Sequence, residues 1–80
     1  MTLNERLGLH LWLTEEMGFI VSATKPRMTV YANLKYGYNI VVPDGEEIAS
    51  YDPNHVRTFA VDMMEDRRDW AQCALTEMYA

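Results

Sequence analysis

The chain is poor in the residues on which most site chemistry rests. Its single cysteine, Cys73, excludes an internal disulfide and any cysteine-rich zinc site. That usage suits a reducing, cytoplasmic setting. His10, His55 and Cys73 are the only soft groups suited to nucleophilic or metal chemistry, and they are scattered without motif spacing. Ser22 and Ser50 lack the glycine pattern of a nucleophile elbow. The sequence therefore predicts no enzymatic activity, no bound metal and no cofactor. No basic N-terminal region precedes an apolar run, and no wholly apolar stretch exceeds a few residues, so neither export nor a membrane span is predicted.

Acid is also missing from the middle of the chain. Residues 17 to 43 carry Lys25, Arg27 and Lys35 with no acid, a local charge of +3. The first sixteen residues sum to −2, from Glu5, Glu15 and Glu16 against Arg6. From Asp44 onward the balance is −6, and the three segments together give the net −5. An acidic surface repels duplex phosphates, so direct nucleic-acid binding by the whole surface is disfavoured and a basic protein partner is favoured.

What the chain does contain is the composition of a folded globule. Hydrophobic residues make up 49% and charged residues 24%, which is too apolar for a disordered tail. Eighty residues make one domain, 1–80, burying roughly 60 to 65% of its surface. A monomer or small homo-oligomer follows.

The sequence predicts an α+β fold: an N-terminal helix, a three- to four-stranded antiparallel meander, and a long C-terminal helix packed on the sheet. Thr2 and Glu5 have the spacing of a capping box, and Gly18 is placed to close a helix ending near Met17. Leu7, Leu9, Leu11 and Leu13 alternate with Gly8, His10 and Trp12 at the period of a strand, but the two end signals and the helix propensity of leucine favour the helix. Phe19 to Ala23, Met28 to Asn33 and Tyr38 to Val42 read as strands, with turns at Thr24 to Arg27 and around Lys35, Tyr36 and Gly37. Pro43, Asp44 and Gly45 make a turn, after which Glu47 to Tyr51 would return as a fourth strand. Asp52 and Pro53 start the last helix, which no proline or glycine interrupts before Ala80. On that helix an arc of Val56, Phe59, Ala60, Met63, Met64, Trp70, Ala71, Ala74, Leu75 and Met78 is predicted to face the sheet. Arg67 points into the arc, so its guanidinium is expected to escape to the edge, stack on Trp70 or Trp12, or pair with Glu15 or Glu16.

Two surfaces are candidates for binding. Opposite the apolar arc, Asp62, Glu65, Asp66 and Asp69 fall together, with the like pairs Asp62–Asp66 and Glu65–Asp69 at four-residue spacing. Each such pair destabilises an isolated helix by about 0.2 to 0.5 kcal/mol. A solvated face relieved by Arg68 is the plain reading; a surface that engages a basic groove on another protein is the functional one. A divalent-metal cage is disfavoured, since one helix face supplies too few convergent ligands. The second surface interleaves Lys25, Arg27 and Lys35 with Tyr31, Tyr36 and Tyr38, a composition that can stack bases or anchor an interface, and equally one common on exposed strands and turns.

A short, acidic, single-domain chain with one cysteine and the clustered face Asp62, Glu65, Asp66 and Asp69 resembles small phage-encoded inhibitors such as anti-CRISPR proteins. The resemblance is one of type and extends to size, charge and one helix face. It implies stoichiometric binding without turnover, carboxylates standing in for phosphates in a nucleic-acid-binding groove, and a host defence complex as partner. Lys25, Arg27 and Lys35 depart from a uniformly acidic mimic.

Overall fold

In a computed structural model, which describes residues 1–79 and the side chains through Asp66, the chain forms the expected α+β fold. Helix α1 spans Leu3–Leu11 and continues into a π-helical turn, Trp12–Glu16. Its start is the capping box: Thr2 Oγ1 accepts from the Glu5 amide at 3.1 Å, and Glu5 Oε1 accepts from the Thr2 amide at 3.2 Å. In the π turn the Thr14 hydroxyl donates to the His10 carbonyl at 2.8 Å, and the Met17 amide reaches the Trp12 carbonyl at 3.0 Å. Gly18 then takes φ +75°, a left-handed conformation that ends the helical run.

The helix resolves the leucine alternation in an instructive way. At about 100° per residue, positions two apart face opposite sides of a helix, and positions four apart share one. Leu9 and Leu13 are wholly buried, whereas Leu3, Leu7 and Leu11 are 78%, 57% and 44% exposed. The strand-like pattern therefore encodes two apolar faces on one helix. The domain covers only one of them.

The sheet has three antiparallel strands in the order β1 (Ile20–Lys25), β2 (Met28–Asn33) and β3 (Tyr38–Pro43). The β1–β2 turn is Pro26-Arg27, and β1 carries a bulge between Val21 and Ala23. Strand alternation sends Tyr31 and its partner Ile40, and Thr29 and its partner Val42, to the inner face. Tyr31, Ile40 and Val42 form the core with Phe19, Leu9, Leu13, Val56, Ala60 and Met64. Asn33 closes the other end: its side-chain amide donates to the Met17 carbonyl at 3.2 Å and its Oδ1 accepts from the Tyr36 amide at 3.1 Å.

The fourth strand expected at Glu47 to Tyr51 is absent; Gly45–Ser50 is a 3-10 helix. Asp44 explains the change. Its carboxylate, expected to serve the local turn, instead accepts from Arg6 and Thr29, while Gly45 at φ +68° turns the chain away from β3. Ile48 is then buried, and its carbonyl accepts from the N-terminal ammonium of Met1 at 2.6 Å.

Helix α2 spans Pro53–Tyr79 and opens as predicted, with Asp52 Oδ1 accepting from the Asn54 amide at 3.0 Å. Val56, Ala60 and Met64, four residues apart, bury one stripe against the sheet. The Tyr38 hydroxyl donates to the Met63 carbonyl at 2.5 Å and ties β3 to that helix. Phe59 is a correction to the predicted arc, being 46% exposed at its margin. Arg67, Trp70, Ala71, Ala74, Leu75 and Met78 lie outside the described side chains. The Trp12 ring considered as a platform for Arg67 carries Arg57, whose guanidinium carbon sits 5.8 Å from the ring centroid.

Candidate interaction surfaces

Helix α2 places Asp62, Glu65 and Asp66 together on the side opposite Val56, Ala60 and Met64, and all three are exposed. Asp69, and Arg68 that was expected to relieve Glu65, lie outside the described side chains. Among the described residues the only ion pair is Arg6–Asp44, so none of the three carboxylates is neutralised by a described side chain. Three like charges within little more than one turn give that side of the helix a concentrated negative field, damped over about 8 to 10 Å at physiological salt. Such a face can attract lysine and arginine side chains. Among the described residues no three His, Cys, Asp or Glu side chains come together to hold a metal ion.

The basic residues are not brought together. Lys25 ends β1 and Arg27 lies in the β1–β2 turn, while Lys35 and Tyr36 occupy the turn at the far end of β2. Six residues of strand, roughly 16 to 20 Å, separate the two groups. Lys35 lies over the Tyr36 ring, its Nζ 5.4 Å from the centroid, and Arg27 lines a depression of about 330 Å³ with Glu46 and Glu47. Tyr31 leaves this surface altogether: it is wholly buried and offers no ring face to a base. The predicted tyrosine-rich basic patch is thus two separate ends of a sheet.

Tyr31 belongs instead to a polar cluster under α1. Arg6, 9% exposed, donates from Nε to Asp44 Oδ1 at 3.0 Å and from Nη1 to the Tyr31 hydroxyl at 2.9 Å. Thr29 Oγ1 donates to the other Asp44 oxygen at 2.5 Å. The Tyr31 oxygen also lies 2.7 Å from His10 Nδ1. Every charge here has a partner, and the cluster joins α1, β2 and the turn after β3. Its role is architectural. The signal was present in the sequence, since Arg6 shares the inward face of α1 with Leu9 and Leu13 at spacings of three and seven, the same anomaly noticed at Arg67.

No described helix is long and apolar enough to cross a membrane. No family model, curated protein or solved structure matches the chain.

Proposed function

We propose that the protein is a non-enzymatic binding module whose acidic α2 face meets a basic surface on another protein, in the manner of a small stoichiometric inhibitor. The observation that carries this reading is the exposure of Asp62, Glu65 and Asp66 on one side of α2 with no described counter-ion. A helix with Asp62 and Asp66 at four-residue spacing forgoes about 0.2 to 0.5 kcal/mol that an i,i+4 pair of opposite sign would reverse. A basic partner turns that repulsion into attraction and gives a fast, salt-sensitive encounter. A groove built for nucleic acid has the right sign for such a partner, and carboxylates can occupy the places of its phosphates. By the type-level resemblance to phage inhibitors, the groove would belong to a host defence complex.

The test is affinity capture from lysate of the source cell, or of its host, with the wild-type chain and with the Asp62→Asn, Glu65→Gln, Asp66→Asn triple variant side by side. The expected result is a basic protein retained by the wild type and lost by the variant while both give the same circular dichroism spectrum. Equal retention by the variant would reduce the face to solvated surface. The competing reading for nucleic acid rests on two separate ends of the sheet, Lys25 with Arg27 and Lys35 with Tyr36, and fluorescence anisotropy with single-stranded and duplex oligonucleotides at low salt separates the readings. Oligonucleotide binding lost on replacing Lys25 and Arg27 would favour the competitor.

A further inference from the structure

We propose that the free edge of β3, with the recess between it and α2, takes an extended basic segment of a partner protein as an added strand. This deepens the binding role given to α2 and rests on it for the charge of the occupant. The strand order leaves β1 and β3 as the two edges of the sheet. Edge strands of folded proteins are commonly blunted by a bulge or by charged side chains, because their unpaired amides and carbonyls accept another strand. β1 is blunted in both ways, by the bulge between Val21 and Ala23 and by Lys25 at its end. β3 has neither device. Its register with β2 is unbroken from Tyr38 to Pro43, and its six residues carry no charge. Pro43 comes at the last position and leaves the rest of the edge open. Among the described residues, no backbone group outside β2 bonds to the main chain of Asn39 or Val41.

The surroundings of that edge select the kind of strand. β3 runs alongside α2 in the opposite direction: the Tyr38 hydroxyl reaches the Met63 carbonyl, and further along β3 Asn39, Ile40 and Val41 share a recess of about 210 Å³ with His55 and Phe59, earlier in α2. Val41 and Phe59 are both 46% exposed, an aliphatic and an aromatic surface against which an apolar side chain of an added strand packs. At about 100° per residue, Asp66 and Asp62 project from α2 within about 20° and about 60° of Phe59 on one flank, whereas Glu65 lies about 120° away. Two exposed carboxylates beside the recess, with no described counter-ion, match lysine or arginine on the incoming segment. They also disfavour a second copy as the occupant, because pairing β3 with β3 would bring Asp62 and Asp66 of both copies toward one seam.

Random linear seven-residue peptides, displayed and panned on the immobilised chain, are the probe. The enriched sequences are expected to alternate β-branched or aromatic residues and to carry lysine or arginine. One of them, synthesised with a fluorescent label, is expected to bind the wild type by anisotropy and to shift the amide resonances of Asn39, Ile40, Val41 and Phe59. Phe59→Ala or Val41→Lys is expected to weaken it about tenfold or more, the Asp62→Asn, Asp66→Asn pair several-fold, and Glu65→Gln not at all. Phe59 and Val41 are half-exposed, so both variants are expected to keep the wild-type circular dichroism spectrum. No enrichment, enriched sequences without basic residues, binding indifferent to both Phe59→Ala and Val41→Lys, or resonance shifts confined to β1 overturn the proposal. A wild-type chain that dimerises in sedimentation equilibrium and becomes monomeric as Val41→Lys gives the edge to a second copy and overturns it as well. If a partner captured from lysate is lost by the triple acidic-face variant yet retained by Phe59→Ala and Val41→Lys, the acidic face stands and the added strand does not.

Discussion

Asp44 and Asp62 bring the same carboxylate into opposite surroundings. Asp44 is held by Arg6 Nε at 3.0 Å and Thr29 Oγ1 at 2.5 Å, so both its oxygens are spent inside the fold. Asp62, with Glu65 and Asp66, stands exposed on α2 with no described counter-ion. Net charge alone does not separate these two uses of a negative group. Where a carboxylate is partnered and half-buried it specifies architecture, here the docking of α1 on the turn after β3. Where several stand together and open to solvent, their field is available to something else. The leucines of α1 repeat the contrast in apolar form, Leu9 inside and Leu7 outside.

The sharpest way to break that second contrast is truncation. Leu9→Ala is expected to cost about 2 to 5 kcal/mol, because it removes buried methyl groups and leaves a cavity among Leu13, Tyr31 and their neighbours. Leu7→Ala is expected to change stability by less than about 0.5 kcal/mol, as for a surface site. Urea unfolding midpoints read both. Similar losses in the two variants would mean that α1 does not present two distinct faces.

Next in size is Asp44→Ala. It leaves the Arg6 guanidinium largely buried without its anion and Thr29 without its acceptor, and a loss of about 2 to 4 kcal/mol is expected, with partial access of Asp44 to solvent holding it below the full cost of a broken buried pair. Arg6→Met in the same background should recover part of that loss, since it removes the stranded charge. No recovery in the double variant would show that the cluster is held by contacts other than this pair.

The smallest expected effect belongs to the acidic face. Replacing Asp62, Glu65 and Asp66 by their amides should leave stability unchanged or raise it by a few tenths of a kcal/mol, through relief of the Asp62–Asp66 repulsion. A clear destabilisation would mean that the three carboxylates serve the fold, and the distinction from Asp44 would vanish.

The end signals of the elements were legible because they are local. The Thr2–Glu5 box, Gly18 and Asp52-Pro53 each act within a few residues, and each is found where the sequence places it. The strands were legible from composition and turn spacing, and the helix at Leu7 to Leu13 from its caps despite the competing alternation. What escaped depends on partners distant in sequence. Asp44 had a sound local role as a turn residue, but Arg6, 38 positions earlier, captures its carboxylate, and the chain leaves β3 as a 3-10 helix instead of a fourth strand. Tyr31 looked like a surface tyrosine beside basic residues because an exposed and a buried position on one strand differ only in which face the pleat presents. The acidic stripe was legible as far as Asp66, since helical geometry alone groups its members.

The most direct measurement is the affinity of the captured basic partner for the wild-type chain and for the Asp62→Asn, Glu65→Gln, Asp66→Asn variant, each at about 50 mM and about 500 mM salt. The expected result is tight binding of the wild type at low salt, steep weakening at high salt, and loss of at least tenfold in the variant, about 1.4 kcal/mol. An affinity that is unchanged in the variant and insensitive to salt would contradict a binding role for the acidic face of α2.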